Sequence, residues 1–487
     1  MKRISIDPIT RLEGHGRIEI FLNDDDEVAD VIFQVPELRG FEKFCQGRPV
    51  WELAGIVSRI CGVCPGAHHM AAGKATDAVY RVDPPQPAKK LRELFYCAHF
   101  VHSHIAHFYL LAAPDFVLGP DAERSQLNVL GVLQKVGQEL VGAVIEHRKL
   151  AQQIQATLAG KATHPTWNVP GGVSKGIQES ERQQIADQAR ACLGFAKTTL
   201  KVFEDVVLAN QAYVDLILSD PYQLTTHYMG LVDDQDRVAF YDGKVRVVDT
   251  QGLQIAKYPP SEYLAHVAEH VEPWSYLKFP FLKAKGWRGL TDGQDSGVYQ
   301  AAPLARLNAA SGMATPLAQA EYQRFYDTLG GKPVHATLAM HWARVIELVY
   351  AAERLAELSG DPELTSPEIR RLPEQTPHEG VGTVEAPRGT LTHHYVTDER
   401  GIVTDVNLIV GTTNNHAPIC LALKKAAQGV IRRGQPITDG VLNRIEMAFR
   451  AFDPCFSCAT HSLTGRMPLE VVVRQRDGRV IDRVKRG

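Results

Sequence analysis

The sequence predicts an α+β fold, a core of long helices with small antiparallel sheets contributed by the N- and C-terminal regions. Three observations carry this expectation. Apolar residues recur at helical spacing through the middle of the chain. Short alternating runs bounded by Asn, Asp and Gly turns gather toward its ends. The 487 residues are 44% hydrophobic and 22% charged, the proportions of a folded chain with a large core.

In order along the chain, GRIEIF and EVADVIFQV flank Asn23-Asp24-Asp25-Asp26 and predict a first hairpin. The stretch from about 87 to 113 has aromatic and apolar residues at helical spacing, and Pro114 and Gly119 are expected to end that helix. Residues 131–158 and 178–218 also read as long helices, separated by the Pro/Gly loop HPTWNVPGGV (164–173). Asp242-Gly243 inside RVAFYDGKVRVVD predicts a hairpin turn, with LQIAKY continuing the sheet. Helices are expected at 317–329, 337–359, 417–430 and 438–452, with a hairpin over 389–410 and another around Asp477-Gly478. With no internal repeat or low-complexity linker, the pattern predicts a single elaborated domain over residues 1–461.

Composition removes several function classes. Fifty-three basic residues against 56 acidic ones give a net charge of −3, which is no electrostatic footprint for nucleic acid. No apolar stretch approaches the ~18 to 20 residues of a membrane helix. The N-terminus MKRISIDPIT lacks the apolar core of a signal peptide, so a soluble protein is expected. Eight cysteines are too few for a disulfide scaffold, and four of them form two CxxC pairs.

Those pairs are Cys61/Cys64 and Cys455/Cys458. CxxC spacing lets two thiolates chelate one metal, because a short turn brings both sulfurs to the same side. A structural four-cysteine zinc site is the plain alternative. Zinc ribbons, however, place their pairs ~15–20 residues apart, whereas these lie about 390 residues apart. A site joining both ends of a long chain suits a buried reaction centre better than a local staple. Cys45, Cys97, Cys192 and Cys420 have no paired spacing and are expected as buried free thiols. The histidines at 99, 102, 104 and 107 are expected in core packing and as hydrogen-bonding partners around the site.

The segments DPITRLEGH (7–15), RGFE (39–42), RICGVCPGAHH (59–69), HFYLLAAPDF (107–116), EAPRG (385–389) and DPCFSCATH (453–461) resemble, in that order, the motifs of the large subunit of [NiFe] hydrogenases. VEAPRGTLTHHY and the final cysteine motif are closest to the cytoplasmic, multi-subunit branch linked to NAD, F420 or heterodisulfide reductase. The resemblance implies a nickel ion held by Cys61, Cys64, Cys455 and Cys458. Cys64 and Cys458 would bridge to an iron carrying CO and two cyanides. Soft thiolates suit both metals. Splitting H2 needs a Lewis acid and a nearby base, and the resemblance offers Cys455 and Arg388 as bases. It makes Asp115 and Asp453 the carboxylates holding Arg388, and Glu13 the acid that takes the proton from Cys455. Thr412 and Pro387 would line the iron's diatomic ligands, with Thr413 as the alternative hydroxyl, and His68 would hydrogen-bond a bridging thiolate. Glu42 and His461 would hold a second, structural metal, Mg2+ or iron.

The same resemblance implies that residues 462–487 are a tail removed by a maturation endopeptidase after nickel-insertion chaperones have acted, the tail keeping the C-terminal pair open meanwhile. The sequence has no further cysteine motif for an iron–sulfur cluster and no nucleotide-binding glycine motif. Electrons would therefore leave through a small iron–sulfur subunit, then through further electron-transfer subunits. The complex I quinone-site subunit shares the fold but lacks the four cysteines; a zinc-stabilised scaffold is the non-catalytic alternative.

Overall fold

The computed structural model describes residues 2–462, 469–475 and 479–486. Helices Gln86–Ala106, Gln138–Ala159, Glu179–Phe203 and Met340–Ser359 pack against one another as the central bundle. Helix Pro65–Val79 lies beside them and against an antiparallel sheet of Glu379–Ala386, Gly389–Thr397 and Val403–Ile409. An N-terminal sheet runs Lys2–Ile6, Arg17–Leu22, Val28–Gln34. A four-stranded sheet is ordered Tyr299–Gln300, His227–Val232, Lys244–Val248, Gln254–Tyr258, and its first pairing is parallel. The α+β class is as expected, but the sheets are not confined to the two ends.

Several boundaries differ from the sequence pattern for identifiable reasons. Pro114 does not end its helix: a π-helical turn, His107–Ala112, leads into Ala113–Val117, where proline occupies the first turn and needs no N–H partner. The 131–158 segment splits at Gly137, whose φ of 86° a helix interior does not accept. The 178–218 segment changes to a π-helical turn at Glu204–Leu208 and restarts with Asn210 capping Gln211–Leu218. The strand Lys244–Val248 pairs with His227–Val232 rather than with the 237–241 segment. The hairpin over 389–410 forms as expected. The last hairpin pairs Leu469–Arg474 with Val480–Arg486, and its turn at Asp477-Gly478 lies outside the described residues.

Strand Glu379–Ala386 was not legible from alternation, because Gly380 and Gly382 break the pattern. A Cβ on Gly382 would lie 2.2 Å from the Ala71 carbonyl oxygen and the Ala75 nitrogen, so the glycines set how closely helix Pro65–Val79 approaches the sheet. At the far end of that strand, Arg306 is fully buried and clamps three elements. Its guanidinium donates to both Glu347 oxygens (2.5 and 2.7 Å), to Glu385 (2.9 Å) and to the carbonyls of Ala386 (2.9 Å) and Pro387 (3.2 Å). Burial opposes the Glu347 charge, but Arg306 prevails and holds that carboxyl at about 2. His104 adds a 3.0 Å hydrogen bond to the same group.

Arg306→Met is expected to cost about 3–5 kcal/mol, since it leaves buried Glu347 and Glu385 without their cation; urea unfolding followed by far-UV circular dichroism measures it. Gly382→Ala should cost about 1–3 kcal/mol by overpacking the helix–sheet contact.

Candidate metal centre

The N-terminal cysteine pair is presented by a helix start. The 3₁₀ turn Ser58–Ile60 gives way to Cys61 in extended backbone, and Cys64 precedes Pro65, the first residue of helix Pro65–Val79. The N–H groups of Val63 and Cys64 both donate to Cys61 Sγ at 3.2 Å. Backbone donors and the positive helix end favour negative charge on these sulfurs.

The C-terminal pair is held by the other end of the chain. Asp453 adopts a left-handed backbone (φ 52°), and Cys455 follows in extended conformation. Cys455 pairs in parallel with Glu13: Phe456 N–H donates to the Glu13 carbonyl at 3.1 Å, and Ser457 N–H to Glu13 Oε2 at 3.1 Å. The Cys455 N–H donates to Thr412 Oγ1 at 3.0 Å.

Together these supports bring the four sulfurs within 4.8 Å of one another, all buried. Individual separations are 3.2 Å for Cys61–Cys455, 3.0 Å for Cys64–Cys458 and 2.9 Å for Cys455–Cys458. Burial opposes charge on Cys61, yet its sulfur neighbours and Arg388 hold it well below the ordinary thiol range, while burial drives Cys455 and Cys458 well above it. So one thiol ionises readily and its neighbours then resist, which is how crowded ligands behave until a cation neutralises them.

Arg388 stands beside the cluster, 5% exposed. Its Nε donates to the Asp453 carbonyl (2.8 Å) and Nη2 to Asp453 Oδ1 (3.1 Å). Nη1 is buried without a protein partner, a donor left for something else in the site. A small cavity adjoins it, lined by Cys64, Cys458, Arg388, Leu391, Thr412 and Val410 among others. Thr412, not Thr413, faces this cavity; the Thr413 hydroxyl lies 3.2 Å from His461 Nε2. Pro387 is buried next to Arg388, its carbonyl taken by Arg306. His68 Nε2 is 3.4 Å from Cys458 Sγ, and Glu13 Oε2 is 3.0 Å from Cys455 Sγ.

Asp115 is where the sequence expectation fails. It does not hold Arg388; it accepts from Arg11 Nη2 at 2.6 Å, from Arg450 Nη1 at 2.8 Å and from Asn443 at 3.2 Å. Its position in helix Ala113–Val117 directs it to the helix Asp439–Ala451 that carries Arg450. Among the described residues, Asp453 is the carboxylate that pairs with Arg388.

Glu42 and His461 meet as expected. His461 Nδ1 is 3.1 Å from Glu42 Oε1, and the same oxygen accepts the Leu408 N–H at 2.9 Å. Sequence reasoning missed the groups around them: Lys278 Nζ lies 3.3 Å from Glu42, 3.2 Å from Glu269 and 3.0 Å from Asn407 Oδ1. Burial opposes the Glu42 charge, but His461 and Lys278 hold its carboxyl at about 2. His393 was also missed, although the His-His pair in TLTHHY marked it; its Nε2 lies 3.1 Å from His68. The histidines of helix Gln86–Ala106, and His107 beyond it, are buried in the core as expected, and Cys45, Cys97, Cys192 and Cys420 are buried free thiols. The four sulfurs are together in a chain that continues beyond His461 with strands Leu469–Arg474 and Val480–Arg486.

A family description, nickel-dependent hydrogenase, matches residues 39–126 and 142–461, and a second, HoxL-like, matches residues 3–38. The chain belongs to the nickel-dependent hydrogenase family. It is 47% identical to an F420-non-reducing hydrogenase iron-sulfur subunit of Archaeoglobus profundus, with 100% of each chain covered. It is 38% identical to the NAD-reducing hydrogenase HoxS subunit beta of Cupriavidus necator, covering 99% of each. Among solved structures, an NAD+-reducing [NiFe]-hydrogenase in the H2-reduced state superposes with a TM-score of 0.88 at 38% identity, covering 95% of this chain and 100% of that one. This hydrogenase chain is therefore a catalytic large subunit, and its four buried cysteines are a soft donor set consistent with a nickel–iron site. Among the described residues no helix is long and apolar enough to cross a membrane.

Metal-free protein titrated anaerobically with Co2+ is expected to bind one ion per cluster with an intense thiolate-to-cobalt absorption. Cys64→Ser should weaken that absorption and the affinity together.

Proposed function

We propose that this subunit catalyses the reversible cleavage of H2 into two protons and two electrons at a nickel–iron pair held by Cys61, Cys64, Cys455 and Cys458. The observation that carries the reading is the convergence of four buried sulfurs with an unpartnered Arg388 donor and a small cavity. Cys61 and Cys455 would bind nickel alone, Cys64 and Cys458 both metals. When bound, the metal pair, its iron carrying CO and two cyanides, supplies the Lewis acid that polarises H2 and accepts its electron pair.

The chain's own residues supply the acid–base work. The Cys455 sulfur takes the proton and hands it to the Glu13 carboxylate, 3.0 Å away. Glu13 is half-buried, so it can pass the proton outward. Arg388, whose guanidinium stays charged because Asp453 and the sulfurs outweigh the burial that opposes it, borders the cavity beside the sulfurs and would face the open side of the metal pair. Thr412 borders the cavity where the diatomic ligands would lie, and Pro387, buried beside Arg388, would stand next to them. Glu42 and His461 would hold Mg2+ or iron at the second site, with Lys278 and Glu269 ordering its surroundings.

Electrons would pass to a small iron–sulfur subunit, then to further electron-transfer subunits, in keeping with relatives that are themselves named as subunits; the setting would be cytoplasmic. We take residues 1–461 as the working domain and 462–487 as a tail cut off by an endopeptidase after nickel-insertion chaperones have acted. His461 is fully buried and Ser462 is 2% exposed, so the segment would have to open before an endopeptidase could reach that bond.

Infrared spectroscopy of the protein purified with its partner subunits tests this, because metal-bound CO and cyanide absorb where protein is nearly transparent. One CO band and two cyanide bands are expected; an empty window on fully metallated protein would overturn the nickel–iron assignment. Glu13→Gln should lower H2/D2 exchange by about 10²–10⁴-fold with metals retained, as expected for loss of a general acid–base group. Arg388→Lys should also cut the rate while keeping the metals, because lysine lacks the planar fork; full activity in that variant would remove the guanidinium from the reaction.

A further inference from the structure

Two turns that line the small cavity are joined by one buried side chain outside it. Asn415, 1% exposed, follows the short helix Gly411–Asn414 that carries Thr412. Its Nδ2 donates to the Arg388 carbonyl and to the Gly411 carbonyl, each at 2.9 Å, and its Oδ1 accepts the Ala301 N–H at 2.9 Å. This amide has one possible orientation. Two carbonyl oxygens can only accept, so they face its NH2 group, and the Ala301 N–H can only donate, so it faces the oxygen. The backbone N–H of Asn415 goes to the Thr412 carbonyl at 3.2 Å, which leaves the Gly411 carbonyl for the side chain.

The joined turns touch backbone to backbone. A Cβ on Gly389 would lie 3.0 Å from the Gly411 oxygen, and one on Gly411 would lie 2.9 Å from the Gly389 nitrogen. The Arg388 turn is also held from another direction, because Arg306 takes the Ala386 and Pro387 carbonyls. Three successive carbonyls are thus each fixed by a side chain, and the third bond is the one that reaches across to the helix of Thr412. Asn414 ties the same helix to the Thr390 carbonyl at 2.7 Å, so that helix keeps an anchor on strand Gly389–Thr397 whatever stands at 415.

We propose that Asn415 is a positioning residue that holds the helix of Thr412 against the Arg388 turn and thereby aims the Thr412 hydroxyl into the cavity. The inference rests on the reading of that cavity as the place of the iron's diatomic ligands. Thr412 Oγ1 accepts the Cys455 N–H at 3.0 Å, so its own hydrogen is left for another acceptor. A cyanide nitrogen is such an acceptor, and a hydrogen bond to it weakens steeply once the donor is displaced or turned. Cutting the two donor bonds of Asn415 frees the turn that sets this aim, while the four sulfurs keep their own supports.

The experiment records infrared spectra of the metal-loaded protein, purified with its partner subunits, for wild type, Asn415→Ala, Thr412→Val and the double variant. Asn415→Ala removes the tie without adding charge near the metals. Its cyanide bands are expected to shift from the wild-type positions. In the Thr412→Val background the same substitution is expected to give no further cyanide shift, because the hydroxyl through which it acts is gone. Cyanide bands of Asn415→Ala at the wild-type positions would overturn the inference. So would a shift of equal size with and without the Thr412 hydroxyl, the mark of a merely structural role. Wild-type protein with no CO or cyanide bands would instead remove the nickel–iron reading, and this inference with it. If Asn415→Ala does not accumulate as folded, metal-loaded protein, Asn415→Leu removes the same amide at similar volume and is read by the same criteria.

Discussion

Four sulfur atoms drawn from the two ends of a long chain share one buried space, and much of the architecture follows from making that tolerable. Negative charge cannot be buried without compensation. The chain answers with a helix N-terminus and two backbone N–H groups at the first pair, and with Arg388 beside both pairs. Arg388 has its own counter-ion in Asp453, and the loop that presents it is pinned from behind by Arg306 through the carbonyls of Ala386 and Pro387. Arg306 in turn is neutralised by Glu347 and Glu385. Charge is thus passed inward from the sulfurs in alternating steps until it reaches groups that are fully satisfied. Loss of any one step exposes its neighbours, so the site and the core share a single electrostatic balance.

The cysteine cluster was legible because CxxC pairs are a local signal and their distant separation pointed to a shared centre. Glu13, Glu42, His68 and His461 lay inside recognisable motifs and Thr412 in a loop that only aligns with one, and all of them lie at the sulfur cluster or at the Glu42–His461 contact. Asp115 also lay inside a motif but turned away, because a single π-helical turn before it changes which neighbour its side chain meets. Spacing cannot reveal that turn. Lys278, Glu269 and Asn407 were invisible for a different reason. They come from three strands with no motif of their own and acquire meaning only when folding gathers them at Lys278 beside Glu42. The strand Glu379–Ala386 was hidden by the two glycines that its packing requires.

The two sites also share local structure. Neighbouring hydroxyls in the short helix Gly411–Asn414 serve different centres, Thr412 accepting from the Cys455 backbone and Thr413 contacting His461. The segment 455–461 supplies two sulfurs at its start and the imidazole of the second site at its end. Seating that segment therefore completes the sulfur cluster and the Glu42–His461 contact at once, against a surface formed by Glu13, Glu42 and the 411–414 turn.

The parallel pairing of Glu13 with Cys455 has a consequence for how the molecule is made. A contact spanning nearly the whole sequence cannot form until the ribosome has delivered nearly the whole sequence. At usual translation speeds, about 390 residues of synthesis separate Cys64 from Cys455, a wait of roughly 20–80 s. During that interval the first pair of thiols has been made while its partners do not yet exist. A half-built soft-ligand site is open to zinc, copper and oxidation alike. The fold therefore obliges the cell to guard this chain for as long as it takes to finish it.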